Sequence, residues 1–285
     1  MYSVLIMGGN DFISSSLAKY FINKKYNLDI MTTKVESINY QGIREHLICD
    51  RKKENDLKKV LKDRQYDYIY DLNAEETKDI EYLINNSEIE YLKKYILLLT
   101  PNNVKLRELD LDKFIENKSI PYVIIKSSNI YGYKNKFSKE MRLFEKIEKS
   151  IPIEIPKNKE LKTQFIYIDD FVKVLYSMIK VNYVKEVYSV TNPQVISMEE
   201  YVETCGEIIG KKPIIKYTDE ISVNNDIIDD FEINYLDIDK IIKHGLYIPN
   251  ILLKNGIGLL YDWYKNNKQS KIKIKDRIGK VLQIG

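Results

Sequence analysis

The first residues able to do chemistry lie in "IMGGNDFISSS", residues 6–16. An apolar run, "YSVLIM" at 2–7, leads straight into Gly8 and Gly9, with Asp11 and Ser14 following. In a strand–turn–helix that holds a dinucleotide, the first glycine makes the tight turn. The second lets the backbone approach the pyrophosphate, and the third lets helix and strand pack closely. Gly8-x-x-Asp11-x-x-Ser14 keeps only the first. Serine in the third place is a mild change, being small and able to cap a helix. Asp11 is not mild, because it puts a carboxylate where a helix N-terminus otherwise favours a phosphate. Either a bound pyrophosphate meets that charge, or Asp11 caps the helix and takes the anion's place itself. An ordinary strand–turn–helix without a ligand fits the glycines equally well.

Other candidates are sparse. Lys34 follows the second apolar run, "LDIMTT". A cation there suits the 2′-phosphate of NADP, and 32–34 offer no acid for the ribose of NAD; a solvated surface lysine is the alternative. His46 and His244 have no partners at catalytic spacing and read as structural. Cys49 and Cys205 imply neither a disulfide framework nor, without a Cys/His cluster, a metal.

The elements that must position these residues follow a clear rhythm. Strand-like runs at 2–7, 28–33, 45–50, 66–72, 94–100 and 121–126 alternate with helical patterns at 12–21, 54–63, 76–86 and 106–117. Such alternation predicts an α/β fold with a doubly wound parallel sheet, Rossmann-like, covered by helices on both faces. After residue 130 the rhythm changes. Helices near 137–149, 168–180, 197–210 and 249–266 are separated by short strand-like pieces and by Pro156, Pro193, Pro213 and Pro249. We therefore divide the chain into 1–130, a dinucleotide-binding region, and 131–285, a smaller α+β substrate-type region with interleaved elements. The 285 residues carry a net charge of only +3, which does not point to nucleic acid or an anionic membrane as the main partner. The charge is uneven: 219–239 hold eight acids and no Lys or Arg, and 268–285 hold six basic residues and one acid. Lys271, Lys273 and Lys275 alternate with isoleucines, as in an edge strand, a weak anionic contact or a dimer arm. No signal peptide and no long apolar span is visible, so a cytoplasmic setting is expected.

Six stretches, in order, carry a resemblance to a known family. "VLIMGGNDFISSSLAKYF" resembles the "TGGTGFIG" opening of the extended short-chain dehydrogenase/reductases, the NAD-dependent nucleotide-sugar epimerases and dehydratases. "ICDRKKENDLKKVL" resembles their third strand, and "YDYIYDLNA" their fourth, with Asp71 in place of a histidine. "IIKSSNIYG" resembles "LRPSNVYG", "TQFIYIDDFVKVL" resembles "RDFIHVDDVA", and "YLDIDKIIKHGLYIP…WY" resembles the closing stretch that ends here at Trp263-Tyr264. The opening turn and the "ICDR" stretch also resemble a plant plastid branch of the family that binds RNA.

The resemblance implies an NAD or NADP site on Gly8, Gly9, Asp11, Phe12 and Ile13, with Lys34, Asp50, Arg51, Asn73 and Lys126 around it. It implies a nucleotide-sugar-like small molecule near Asn129 and Tyr131, although Tyr131 fits simple packing equally well. Asp169-Asp170 read as helix-capping residues, and a homodimer is implied by analogy. The same comparison exposes what is missing. The family's acid/base is a Ser/Thr followed by Tyr-x-x-x-Lys, in which the lysine lowers the phenol's pKa. Thr100 stands for the Ser/Thr, but the tyrosine position falls on Val104 and the lysine position on Glu108. The expectation is weak or lost dinucleotide binding, no metal, and a pseudoenzyme or an altered chemistry. The alternatives are an active enzyme whose acid/base has moved, to Thr100 or Glu108, and a non-enzymatic binding or regulatory module, RNA included.

Overall fold

The computed structural model describes residues 2–33, 38, 40–101, 103, 106, 111–116, 119–135, 139–157, 161–219 and 235–282. The chain divides into two compact units. The first comprises Met1–Ile130, Ile168–Pro193 and Leu236–Asn250; the second comprises Tyr131–Tyr167, Gln194–Tyr235 and Ile251–Gly285.

The first unit is built on seven strands: β1 (Ser3–Met7), β2 (Asn27–Thr32), β3 (Glu45–Ile48), β4 (Tyr68–Asp71), β5 (Lys94–Leu99), β6 (Tyr122–Ser127) and β10 (Glu186–Val190). They pair in the order β10-β6-β5-β4-β1-β2-β3, every pairing parallel. The apolar runs are explained by this arrangement: "KYILLL" and "YIYD" are buried along their whole length, as strands covered on both faces must be. Helices α1 (Phe12–Asn23), α2 (Glu54–Leu61) and α3 (Thr77–Asn85) supply cover through one apolar stripe each, such as Leu57 and Leu61, or Ile80, Leu83 and Ile84. On α1 the buried stripe includes the small Ser14, Ser15 and Ala18. Of the helix expected near 106–117, the described part is α4 (Leu111–Glu116). Helices α6 (Ile168–Ser177) and α8 (Asp239–Lys243) also belong to this unit.

Three buried charges tie the unit together. Asp29 accepts two bonds from Arg44, at 2.8 and 2.5 Å, and one from the Tyr66 hydroxyl at 2.8 Å. Lys94, only 2% exposed, donates to the carbonyls of Met178 (2.6 Å) and Val181 (2.8 Å), just past the end of α6. Burial pushes that ammonium down to about 8. The Asp170 carboxylate, fully buried, accepts from the Tyr247 hydroxyl and the Asn250 amide, both at 2.7 Å, so it anchors the 247–250 segment from the first turn of α6.

The second unit holds a three-stranded sheet ordered β11 (Val195–Ser197), β9 (Lys162–Tyr167), β7 (Asn129–Tyr131), β7 being the strand on which the chain enters it. A parallel pair, β8 (Ile153–Pro156) and β12 (Ile215–Thr218), completes its strands. Helices α5 (Lys139–Glu148), α7 (Met198–Ile209) and α9 (Leu253–Leu282) pack on one another around Phe144, Val202, Cys205, Ile257 and Leu260. Ser197 and Glu200 cap α7 reciprocally, and Gly210 ends it at φ 77. The helix expected at 249–266 runs on to Leu282. Residues 271–275 are therefore helical, and the edge-strand reading of the alternating lysines is corrected: period-two alternation in so short a run does not outweigh the continuous helix it extends.

Candidate functional site

Because every strand of the sheet is parallel, the chain leaves each one at the same edge. Gly8, Cys49–Arg51, Asp71–Asn73 and Thr100 all follow C-terminal strand ends and are gathered there. β1 lies between β2 and β4, so the chain winds outward in opposite directions from that point. In open α/β sheets this reversal makes the crevice in which ligands bind.

The glycine turn lies at that reversal. Gly8 has φ 105, and a Cβ on it would come within 2.9 Å of an Asp11 carboxylate oxygen. Both the backbone conformation and the space demand glycine. A Cβ on Gly9 would meet Ile30 Cδ1 at 3.0 Å and Thr32 Cγ2 at 3.2 Å. Asp11 is the N-cap of α1: its Oδ1 accepts from the amides of Ile13 (3.0 Å) and Ser14 (2.9 Å), and its Oδ2 accepts from the Ser14 hydroxyl. The two departures from the glycine pattern thus bond to each other. They fill the helix N-terminus with an internal anion, using amides that a pyrophosphate would otherwise engage. Phe12 and Ile13 form the first turn of α1 behind this cap.

Tyr40, which the sequence reading passed over, covers the turn. Its hydroxyl donates to the Gly9 carbonyl at 2.8 Å. Burial, with the Asp11 carboxylate adding to it, pushes this phenol up to about 12. Tyr40 lies in the connection between β2 and β3, where no periodic pattern marks it. Lys34, in the same connection, lies outside the described residues.

At the ends of β3 and β4 sits a buried ionic cluster. Arg51 donates to both carboxylate oxygens of Asp71, at 2.6 and 2.7 Å, to Asn73 Oδ1 at 2.8 Å and to the Asp79 carbonyl at 2.9 Å. Tyr95 adds a third bond to Asp71 at 2.7 Å. Burial alone would lower the guanidinium, but Asp71 and Asp79 outweigh it and raise its pKa. Arg51 is spent inside the protein. Asp71, which departs from the family pattern, is its partner. Asp50 stays half-buried at the edge, where it accepts from the Lys52 amide at 3.1 Å. Asn73 is exposed, with its side-chain oxygen held by Arg51.

Thr100 is half-buried at the end of β5. Its amide and its hydroxyl both donate to Asn103 Oδ1 at 2.8 Å, and Asn103 Nδ2 donates to the Ala74 carbonyl at 3.1 Å. Val104 and Glu108 lie outside the described residues, as do 220–234 in the acidic stretch. Lys126 is half-buried in β6, paired with Leu99 and Ser189, and Asn129 begins β7. In the second unit Tyr131 is 2% exposed, edge-on to Phe165 and Tyr167, with its hydroxyl 3.5 Å from the Leu253 carbonyl. His46 bonds Thr32 Oγ1 at 2.7 Å, and His244 bonds the Tyr188 hydroxyl at 2.8 Å. Among the described residues no three His, Cys, Asp or Glu side chains form a metal-binding group, and no helix is long and apolar enough to cross a membrane.

Comparison with known proteins agrees with this architecture. The sequence model of the NAD dependent epimerase/dehydratase family matches residues 4–91. Chloroplast stem-loop binding protein of 41 kDa b from Arabidopsis thaliana is 21% identical over 73% of this chain and 63% of its own length. The dTDP-4-dehydro-6-deoxyglucose reductase of Escherichia coli is 27% identical over 52% of this chain and 45% of its own. The chain thus spans less than two thirds of the length of these curated relatives. The structure of dTDP-glucose 4,6-dehydratase from Bacillus anthracis, in complex with NAD, superposes with a TM-score of 0.77 at 16% identity, covering 94% of this chain and 98% of that one. UDP-glucose 4-epimerase from Thermotoga maritima, with UDP-glucose, gives 0.75 at 15% identity, covering 93% and 99%. The Rossmann-like fold is that of nucleotide-sugar epimerases and dehydratases, residues 4–91 match their family, and the resemblance first read from the motifs, to the extended short-chain dehydrogenase/reductases, holds.

Proposed function

We propose that this chain is a nucleotide- or nucleotide-sugar-binding relative of the epimerases, dehydratases and reductases whose dinucleotide affinity is weak and whose usual acid/base chemistry is lost or altered. One observation carries the reading: the Asp11 carboxylate holds the α1 amides of Ile13 and Ser14. A pyrophosphate entering there loses those donors and meets a like charge. The names of the structural relatives, which include complexes with NAD and with UDP-glucose, support the ligand class. The residues at the family's tyrosine and lysine positions, Val104 and Glu108, support the loss of chemistry, and the Thr100 hydroxyl donates its hydrogen bond to Asn103 Oδ1.

Calorimetry of the unmodified protein with NAD, NADP and their reduced forms tests this. We expect no binding at micromolar concentrations, and Asp11→Gly to strengthen affinity by about 1–3 kcal/mol. Micromolar binding by the unmodified protein, or no gain in the variant, would contradict the reading. A second reading, a module that binds structured RNA, is favoured by the 21% identity with a stem-loop binding protein. A salt-resistant gel shift with an RNA hairpin, absent with the unstructured strand, would favour it over the first.

A further inference from the structure

We propose that the far end of α1, where it meets the C-terminal end of α6, is a binding site for a phosphate-monoester dianion held by Lys24 and Lys180 beside the rings of Tyr20, Tyr26 and Tyr176. This site is independent of the nucleotide reading. The glycine turn lies at the start of α1, at the C-terminal edge of the strands. The new site lies at the opposite edge, where α1 runs out before β2 and where Lys94, at the start of β5, holds Met178 and Val181.

Two Tyr-x-x-x-Lys pairs face each other there. Tyr20 and Lys24 stand one turn apart at the end of α1; Tyr176 and Lys180 do the same at the end of α6. Tyr20 and Tyr176 meet with ring centroids 5.1 Å apart, and Tyr26 reaches Tyr176 at 6.0 Å. The Lys24 ammonium lies 5.7 Å from the Tyr20 ring and 6.0 Å from the Tyr176 ring, and the Lys180 ammonium lies 5.1 Å from Tyr176. Both lysines are exposed, and the three tyrosines are half-buried.

Charge separates this cluster from its counterpart on α9. There Tyr261 with Lys265 and Tyr264 with Lys268 have the same spacing, but Asp262 pairs with Lys265 and Glu148 with Lys268. That group is internally neutral. Among the described residues, Lys24 and Lys180 have no carboxylate at ion-pair distance. The groups that act most strongly on Tyr176 are Tyr26, Lys180 and Lys24, none of them acidic. Two positive charges therefore flank the Tyr176 ring with no internal anion at ion-pair distance among the described residues. A phosphate monoester carries nearly two negative charges at neutral pH, which matches the two lysines in charge. A carboxylate or a phosphodiester brings only one charge. The field already acts on the protein: burial raises the Tyr176 phenol, but hydrogen bonding to Tyr26 and Lys180, with the charges of Lys180 and Lys24, leaves it below its ordinary value. An anion bound at the lysines cancels that field.

Two readouts test the site on the full chain at constant ionic strength. Phosphorus NMR titration with inorganic phosphate and with phenyl phosphate should give saturable binding. It should weaken at least about tenfold in the Lys24→Met, Lys180→Met double variant, the loss of two charge-assisted contacts. Dimethyl phosphate, a monoanion, should not compete. Separately, tyrosinate absorbance should show one tyrosine ionising before the rest, absent in Tyr176→Phe, and phenyl phosphate should move that ionisation to higher pH. Circular dichroism verifies that each variant is folded. Non-saturable binding, equal binding by the folded double variant, equal competition by dimethyl phosphate, or an early ionisation indifferent to phosphate would each overturn the proposal. So would phosphate binding that depends on Asp11 and not on the lysines.

Discussion

At the residue scale, Arg51 and Asp71 form the most consequential pair. Both are almost fully withdrawn from water, at 5% and 0% exposure. Neither charge is tolerable there alone, since an ion loses several kcal/mol of hydration on burial. Arg51→Met should therefore destabilise the protein by about 3–5 kcal/mol, because it strands the Asp71 carboxylate. The double variant Arg51→Met, Asp71→Leu should recover most of that loss. Urea denaturation of the four proteins of the cycle measures it, and a double variant no better than the single one would show that the carboxylate is not what makes Arg51 necessary. The pair was half legible in the sequence. Asp71 stood out as a departure from the family's fourth strand, and Arg51 as a residue of the implied cofactor site beside Asp50. Nothing in the spacing joined a residue just past β3 to one at the end of β4, because which strand ends lie near each other depends on strand order.

At the element scale, the N-cap of α1 links the stability of the helix to the proposed loss of binding. Asp11 satisfies two of the amides left open at the helix N-terminus, and Ala there should cost about 1 kcal/mol of stability. The change that opens the turn to a pyrophosphate thus also weakens the helix that would hold it. A second element, α9, is seated through Gly256. A Cβ at that position would lie 2.0 Å from the Tyr131 hydroxyl and 3.0 Å from Tyr167 Cδ2. Gly256→Ala should destabilise the second unit by about 1–3 kcal/mol, the usual penalty of overpacking. Adding Tyr131→Ala should relieve the clash, and thermal melts of the single and double variants check this. If Gly256→Ala melts with the unmodified protein, the close approach of helix and ring is not a constraint.

At the scale of the whole molecule, the question is whether the chain turns over a sugar nucleotide. General acid/base catalysis contributes about 10²–10⁴-fold and needs a proton donor of suitable pKa beside the reacting oxygen. Valine at 104 has no proton to give, and glutamate at 108 lacks the positive field that makes a phenol a base near neutrality. We expect no epimerisation, dehydration or reduction of UDP-, GDP- or dTDP-sugars with added NAD or NADP, read by chromatography of the products. Turnover at ordinary enzyme rates would sink this expectation, and Thr100→Val or Glu108→Gln would then identify the group that took over.

Strand and helix positions in the N-terminal half were readable from the sequence because a fully buried parallel sheet demands unbroken apolar runs, "YSVLIM" and "KYILLL" among them, and its helices demand one apolar stripe. The substitution at Asp11 was readable too, together with its two possible outcomes, because capping is local chemistry within three residues. What required the tertiary structure was every partnership across the sheet or between helices. Examples are Arg51 with Asp71, Tyr40 over Gly9, Lys94 on the end of α6, and the facing Tyr–Lys pairs of α1 and α6. Local spacing decides which face of a helix or strand a side chain occupies. Only strand order and helix packing decide what stands opposite it, and at distances of a few ångströms that neighbour sets whether a charge is a ligand-binding group or part of the core.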